Sequence, residues 1–210
     1  MSKKAYSNDL VRVIEKFLND DDWNFSFDDE RGMFRFGLRI KGKINNINYV
    51  VDVKEEEYLV YAISPISADQ DDKKMMTNMA EFICRANYGL KMGNFEFDFS
   101  DGEIRYKVHV PCEDIIPSTA IVKRSIYCPA TLFEQYGSGI VNIIFNGASG
   151  KEAVEKCENN SSNDMRRMLA QLASEEGADS SDSNVDELVA RLAARLGIDP
   201  TADDNDDDDD

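Results

Sequence analysis

The sequence predicts an α+β fold in which helices cover one face of an antiparallel sheet. Runs in which apolar and polar side chains alternate indicate strands, and runs with apolar side chains three or four residues apart indicate helices. In chain order these runs give the pattern α-ββββ-α-ββ-α. Short polar or glycine-bearing links between the strands are typical of antiparallel neighbours, so we expect the helices to cover the apolar face of the sheet.

The first helix and the first four strands occupy the first third of the chain. Ser7 or Asn8 can cap a helix over about residues 8–19, where apolar side chains recur at helical spacing. These side chains are Leu10, Val13, Ile14 and Phe17. Strand-like runs follow at residues 23–28, 33–41, 47–53 and 58–64. The last run, YLVYAIS, differs from the others because it is apolar on both of its faces.

A second helix, rich in methionine, is predicted over about residues 70–88. Acidic residues precede it, where the positive end of the helix dipole favours negative charge, and Gly89 is suited to the position after its last turn. One stripe of this helix contains Met75, Met79, Phe82 and Ala86, and Met76, Ala80 and Ile83 widen that stripe.

This apolar arc is wider than one contact with a sheet requires, and methionine suits adaptable interfaces. Two interpretations stay open. The arc is either a broad core contact, or its flank is exposed and binds a protein partner or a second copy of the chain in a homodimer. The candidate partner-binding residues are Met75, Met76, Met79, Phe82 and Ile83.

The stretch from Asn94 to Val110 predicts a hairpin. Asp101-Gly102 is typical of a two-residue turn, which would place Phe99 opposite Ile104. The same register pairs Phe97 with Tyr106, Phe95 with Val108, Asp98 with Arg105, and Glu96 with Lys107. A cationic row on the polar sheet face, read as a solvated face, comprises Arg35, Arg39, Lys41, Arg105 and Lys107.

A third helix begins after Pro117, and we expect Pro129 to break or kink it before it ends at Gly147. The segment NNSSND, residues 159–164, is typical of a linker. We therefore predict a folded domain at 1–158 and an acidic, mostly disordered tail at 159–210 with two short amphipathic segments. Residues 175–210 hold fourteen acids and two arginines, so they carry −12 of the net charge of −17. This charge argues against binding to nucleic acid or an anionic membrane.

The sequence offers little for catalysis or metal binding. His109 is the single histidine, and the four cysteines form no CxxC pair. The segment GASGKE, residues 147–152, lacks the first glycine and the hydroxyl residue of a phosphate loop. We therefore expect no enzyme, no cofactor and no metal. Reduced cysteines, the lack of an apolar leader and the lack of a membrane span predict a cytoplasmic protein.

The order of elements, together with the hairpin GNFEFDFSDGEIRYK after a helix ending CRANYGL, resembles the YbjN family over about residues 8–157. The resemblance implies the fold of type III secretion chaperones and a bacterial, cytosolic, non-catalytic protein. Members of the family are described as regulators of sensory transduction, and the chaperones dimerise and wrap partner chains on their sheets and helices. The leading function is thus a non-enzymatic protein-interaction module, chaperone-like or regulatory. The alternative is a small-ligand sensor with an apolar pocket between the second helix and the sheet.

Overall fold

The computed structural model describes residues 5–161 and has the predicted α+β architecture. Its elements match the predicted order α-ββββ-α-ββ-α, with bounds within about three residues of those predicted, and a further helix follows. The helices are α1 (Asn8–Asp20), α2 (Lys73–Asn87), α3 (Thr119–Asn146) and α4 (residues 150–161). The strands are β1 (Phe25–Asp28), β2 (Met33–Arg39), β3 (Asn46–Val53), β4 (Glu57–Ile63), β5 (Asn94–Phe97) and β6 (Ile104–Pro111).

The six strands form one antiparallel sheet in the order β1-β2-β3-β4-β6-β5. One row of buried side chains crosses it from β2 to β5, with each member paired to the next: Phe36, Tyr49, Ala62, Tyr106 and Phe95. Helix α3 lies over this face, because the hydroxyl of Tyr49 donates to Ile126 O at 2.8 Å and Tyr58 bonds Ser125 at 3.0 Å. The core therefore lies between this face and the helices.

The starts of the helices follow from capping residues in the sequence. The Ser7 hydroxyl accepts from Leu10 N, and the Asp72 carboxylate accepts from Lys74 N and Met75 N. Helix α3 ends at Gly147, which is left-handed with φ 65°. Helix α2 ends at Tyr88 in a right-handed conformation, and Gly89 does not adopt a positive φ.

The predicted register of the β5–β6 hairpin is wrong by two residues. Phe97 lies opposite Ile104, and Phe95 lies opposite Tyr106. The turn is a six-residue loop, 98–103, instead of the two-residue Asp101-Gly102 turn, and Phe99 is 64% exposed. The Asp98 carboxylate holds this loop, because it accepts hydrogen bonds from Ser100 N at 2.7 Å and from Ser100 Oγ at 2.6 Å.

Of the predicted break or kink at Pro129, the break does not occur, since α3 runs unbroken from Thr119 to Asn146; the kink stays a prediction. A proline in a helix removes one backbone donor and crowds the carbonyl four residues earlier. Two tyrosines of the sheet bond other groups of this turn and anchor it to the sheet. Tyr49 donates to the carbonyl of Ile126, and Tyr58 bonds the hydroxyl of the buried Ser125.

Helix α4 was not predicted, and the linker assigned to 159–164 is wrong in its first part, because 159–161 are helical. Ser149 and Glu152 form a capping box: Glu152 N donates to Ser149 Oγ at 3.3 Å, and Ser149 N donates to Glu152 Oε2 at 3.4 Å. Helix α4 buries Ala153, Val154 and Cys157. The predictions for the acidic tail concern residues that, from 162 onward, lie outside the described part.

Candidate functional site

The open face of the sheet, opposite the helices, carries an apolar strip along the central strand β4. On β4, Tyr58, Val60 and Ala62 point into the core and are fully buried. Leu59, Tyr61 and Ile63 alternate with them, lie on the open face and are half-buried. Val50 of β3 pairs with Tyr61 across the sheet and widens the strip. We call Val50, Leu59, Tyr61 and Ile63 the β4 strip.

Strand β6 borders the β4 strip with an ionic group. The guanidinium of Arg105 lies 4.7 Å from the centre of the Tyr61 ring, within cation–π range. Arg105 Nε donates to Glu96 Oε2 at 2.8 Å, and Lys107 Nζ donates to Glu96 Oε1. Partial burial would raise the pKa of Glu96, but the hydrogen bonds from Lys107 and Arg105 outweigh it and lower the pKa. Both cations on this side of the strip are thus paired.

Strand β2 borders the strip on its other side with exposed cations. Arg35 pairs with Val50 across the sheet, and Arg39 follows four residues later on the same face. Within residues 5–161, neither has a carboxylate at ion-pair distance; Arg35 Nη2 lies 3.8 Å from the sulfur of Met33. The two sides of the strip therefore differ in their free positive charge.

A depression of about 520 Å³ lies at the β5–β6 end of the sheet. Its lining comes from β5, β6 and the loop between them: Glu96, Phe97, Asp98, Phe99, Glu103 and Arg105. The rings of Phe97 and Phe99 are 5.1 Å apart, and hydrogen bonds from the hydroxyl and amide of Ser100 lower the pKa of Asp98. Arg105 connects this depression with the strip, because it pairs with Ile63 across the sheet.

The groups that could carry chemistry are dispersed over the described residues. His109 Nε2 lies 2.7 Å from Glu57 Oε2 in an exposed pair. Residues 5–161 contain no group of three or more histidine, cysteine or acidic side chains that could hold a metal. All four cysteines are free, and burial raises the thiol pKa of Cys112, Cys128 and Cys157, which disfavours the nucleophilic thiolate.

The structure places four of the five candidate partner-binding residues of α2 in the interior. Met76 and Ile83 are 5% and 6% exposed, and Met79 and Phe82 are fully buried. Met75 is half-buried. Helices α3 and α4 also pack against α2, and the backbone of α4 at Gly150 lies against Asn78 of α2. Of the two interpretations left open, the burial of this flank favours the broad core contact, and binding of a partner by α2 stays a prediction.

Aromatic side chains occupy the space between α2 and the sheet, where the ligand-sensor alternative needs an apolar pocket. The ring of Phe95 lies 5.3 Å from that of Phe133 and 5.9 Å from that of Tyr136, and Phe82 lies 6.1 Å from Tyr136. A cavity of about 260 Å³ lies instead between the start of α2 and the end of α3, beside Met75 and Ile143. This packing does not favour the ligand-sensor function.

Comparison with known proteins identifies no family model that matches the chain, and no curated protein matches it. The resemblance to the YbjN family therefore stays a prediction. None of the helices in residues 5–161 has the length and apolar character needed to cross a membrane. The open face of the sheet is therefore the candidate functional site. One sequence signal indicated this face, namely the run at residues 58–64 that is apolar on both sides.

Proposed function

We propose that the protein is a non-enzymatic protein-interaction module, chaperone-like or regulatory, that binds a segment of a partner protein on the open face of its sheet. The observation that carries this proposal is the β4 strip. Strands that are apolar on both faces are typical of sheets covered on both sides. Here β4 is such a strand, and its outer side chains are still partly accessible.

The residue types on this face support protein binding. Tyrosine and arginine are enriched in protein interfaces and at their energetic centres. Tyr61 lies in the middle of the β4 strip with Arg105 against its ring, and apolar side chains lie on either side. A partner that covers these groups would bury apolar surface while the charged margin stays near solvent.

The same proposal includes the cellular setting. Free thiols, two of them buried, suit the reducing cytoplasm, where disulfides are rare. A bacterial, YbjN-like chaperone or regulator is consistent with the α+β fold, although a shared fold does not establish a shared function. A homodimer is a further form that the interaction can take, and sedimentation measures it directly.

The experiment compares two tyrosine substitutions in the full-length protein. Tyr61→Glu places a charge in the β4 strip, whereas Tyr88→Glu makes the same change at a residue that is 97% exposed next to α2. Both variants are first checked for native circular dichroism and melting. Proteins captured from the source cells are then compared by quantitative mass spectrometry. We expect Tyr61→Glu alone to lose specific partners. Equal capture by all three proteins would contradict an interaction function of this face.

A further inference from the structure

We infer that the partner segment on the open face is an acidic amphipathic helix, and this inference rests on the proposed interaction function. Two features of the face carry it: the shape of the β4 strip and the distribution of unpaired positive charge beside it. The apolar strip selects a segment with one apolar stripe, and the free cations select acidic residues along one margin of that stripe.

The dimensions of the strip fit a helix. From Leu59 to Ile63 the strand advances about 13 Å, at roughly 3.3 Å per residue. A helix of about nine residues has the same length, and its apolar side chains three and four residues apart form a stripe of similar width. Pairing of a partner strand is impeded at the β5 edge, because the Asn87 side chain occupies both backbone groups of Phe95.

The charges beside the strip are asymmetric. On the β6 side, Arg105 and Lys107 are both paired, Lys107 with Glu96 and Arg105 with Glu96 and Glu103. On the β2 side, Arg35 and Arg39 are exposed and have no carboxylate at ion-pair distance within residues 5–161. Lys41 and Lys43, in the turn after β2, are exposed as well. Glu134 of α3 reaches this turn, and its carboxylate accepts a hydrogen bond from the backbone amide of Lys41 at 2.9 Å.

Acidic side chains of a partner can pair with these cations without displacing an existing ion pair, whereas basic side chains would meet like charge. Such complementarity sets specificity and the rate of association more than raw affinity. A nucleic acid would also meet the cations, but the net charge of −17 repels a long polyanion and the β4 strip offers apolar surface instead of a phosphate track. The helix is therefore the partner that uses both features.

The test uses fluorescence anisotropy with the full-length protein and two labelled synthetic peptides of about 18 residues, or five helical turns. Both peptides carry leucines at helical spacing, and the remaining positions are glutamate in one and lysine in the other. We expect the glutamate peptide to bind and the lysine peptide to bind at least about tenfold more weakly. Affinity for the glutamate peptide should fall as salt is raised, because the exposed charges are screened.

Two double variants test which cations of the protein bind the glutamate peptide. Arg35→Glu with Arg39→Glu should weaken binding of the glutamate peptide about tenfold or more and improve that of the lysine peptide. Lys73→Glu with Lys74→Glu changes two exposed lysines at the start of α2 and should leave both affinities unchanged. Equal binding of both peptides, no binding of the glutamate peptide at about 1 mM, or no effect of the Arg35 and Arg39 changes would overturn the acidic-helix inference.

Failure of this inference is distinguishable from failure of the proposed function. If Tyr61→Glu abolishes peptide binding while the Arg35 and Arg39 changes have no effect, the face binds proteins and its partner is not acidic. A 20-mer DNA duplex is titrated in parallel. Tighter binding of the duplex than of the glutamate peptide would overturn the acidic-helix inference and identify nucleic acid as the partner of this face. Sedimentation of the free protein decides whether a second copy already occupies the face.

Discussion

The side chain of Asn87 bonds both backbone groups of Phe95. Asn87 Nδ2 donates to Phe95 O at 2.9 Å, and Asn87 Oδ1 accepts from Phe95 N at 2.8 Å. Phe95 lies on β5, the last strand of the sheet, so these backbone groups belong to an edge. The last residue of α2 therefore takes the place of a neighbouring strand and blocks part of this edge. Native sheets commonly block an edge strand in such ways to prevent pairing between molecules.

Replacement of Asn87 should destabilise the protein and expose the edge. Asn87→Ala leaves the buried amide of Phe95 without a partner, while the Phe95 carbonyl keeps the hydrogen bond from Asn94 Nδ2 at 3.1 Å. We therefore expect a loss of about 1–3 kcal/mol in the free energy of unfolding. Urea denaturation measures this loss, and light scattering at high concentration reports association through β5. Asn146→Ala, which removes an exposed amide at the end of α3, should change stability by no more than about 0.5 kcal/mol.

Gly102 should not tolerate alanine. Its φ of +73° disfavours a side chain, and a Cβ there would lie 2.0 Å from the carbonyl oxygen of Ala68. Because that obstacle is backbone, we expect Gly102→Ala to cost about 3 kcal/mol or more. Gly89→Ala is the control, since nothing lies within 4 Å of a Cβ at Gly89. Similar melting temperatures for the two variants would contradict the conformation of Gly102 in the loop 98–103 and its close packing against Ala68.

A lysine at Met76 should unfold or strongly destabilise the protein. Met76 is 5% exposed, so an ammonium group at this position would lose its hydration without gaining a partner. We expect Met76→Lys to cost about 3 kcal/mol or more, and Met75→Lys, at a half-buried position, to cost clearly less. Denaturation curves of both variants test this difference. A folded, stable Met76→Lys that sediments as a smaller species would instead restore α2 as an interface.

Alkaline pH should destabilise the protein through its buried tyrosines. Burial raises the pKa of Tyr58 to about 12, and it raises the pKa of Tyr49 and Tyr106 as well. A tyrosine in the unfolded chain has a pKa of about 10, so the unfolded chain loses these protons first. Stability is therefore fully present below about pH 10 and falls between about pH 10 and pH 12, by about 1.4 kcal/mol per pH unit for each such group.

Urea denaturation at about pH 9 and about pH 11 measures this decline. Tyr58→Phe should have a shallower decline than the unsubstituted protein, because it retains one titrating group fewer in the core. An identical decline for both proteins would mean that Tyr58 titrates in the folded state as it does in the unfolded state.

The hairpin shows why alternation alone could not determine the pairing of two strands. A shift of two residues keeps every side chain on its face, so the apolar pattern of Phe95, Phe97 and Tyr106 fits both registers equally well. The hydrogen bonds of Asp98 to Ser100 and the contact of Gly102 with Ala68 select the observed register. The contact with Ala68 joins residues far apart along the chain, and no local pattern contains it.

The candidate site could be predicted only in part. The run at 58–64 revealed a strand with two apolar faces, but its central place in the sheet depends on pairing with β6, some fifty residues later. The methionines of α2 were read as a candidate interface because α4 was not predicted. The Ser149–Glu152 capping box was the available signal for that helix.

By itself the sequence determined the class of fold, the order of its first nine elements and most helix ends, because propensity, capping and periodicity act between residues close along the chain. Tertiary structure decided the hairpin register, the continuity of α3 through Pro129, the burial of Met76 and the accessibility of the β4 strip. Each of these depends on which distant segment occupies the neighbouring space, as when the hydroxyl of Tyr49 reaches the carbonyl of Ile126. Such contacts are set by the packing of the whole sheet against its helices.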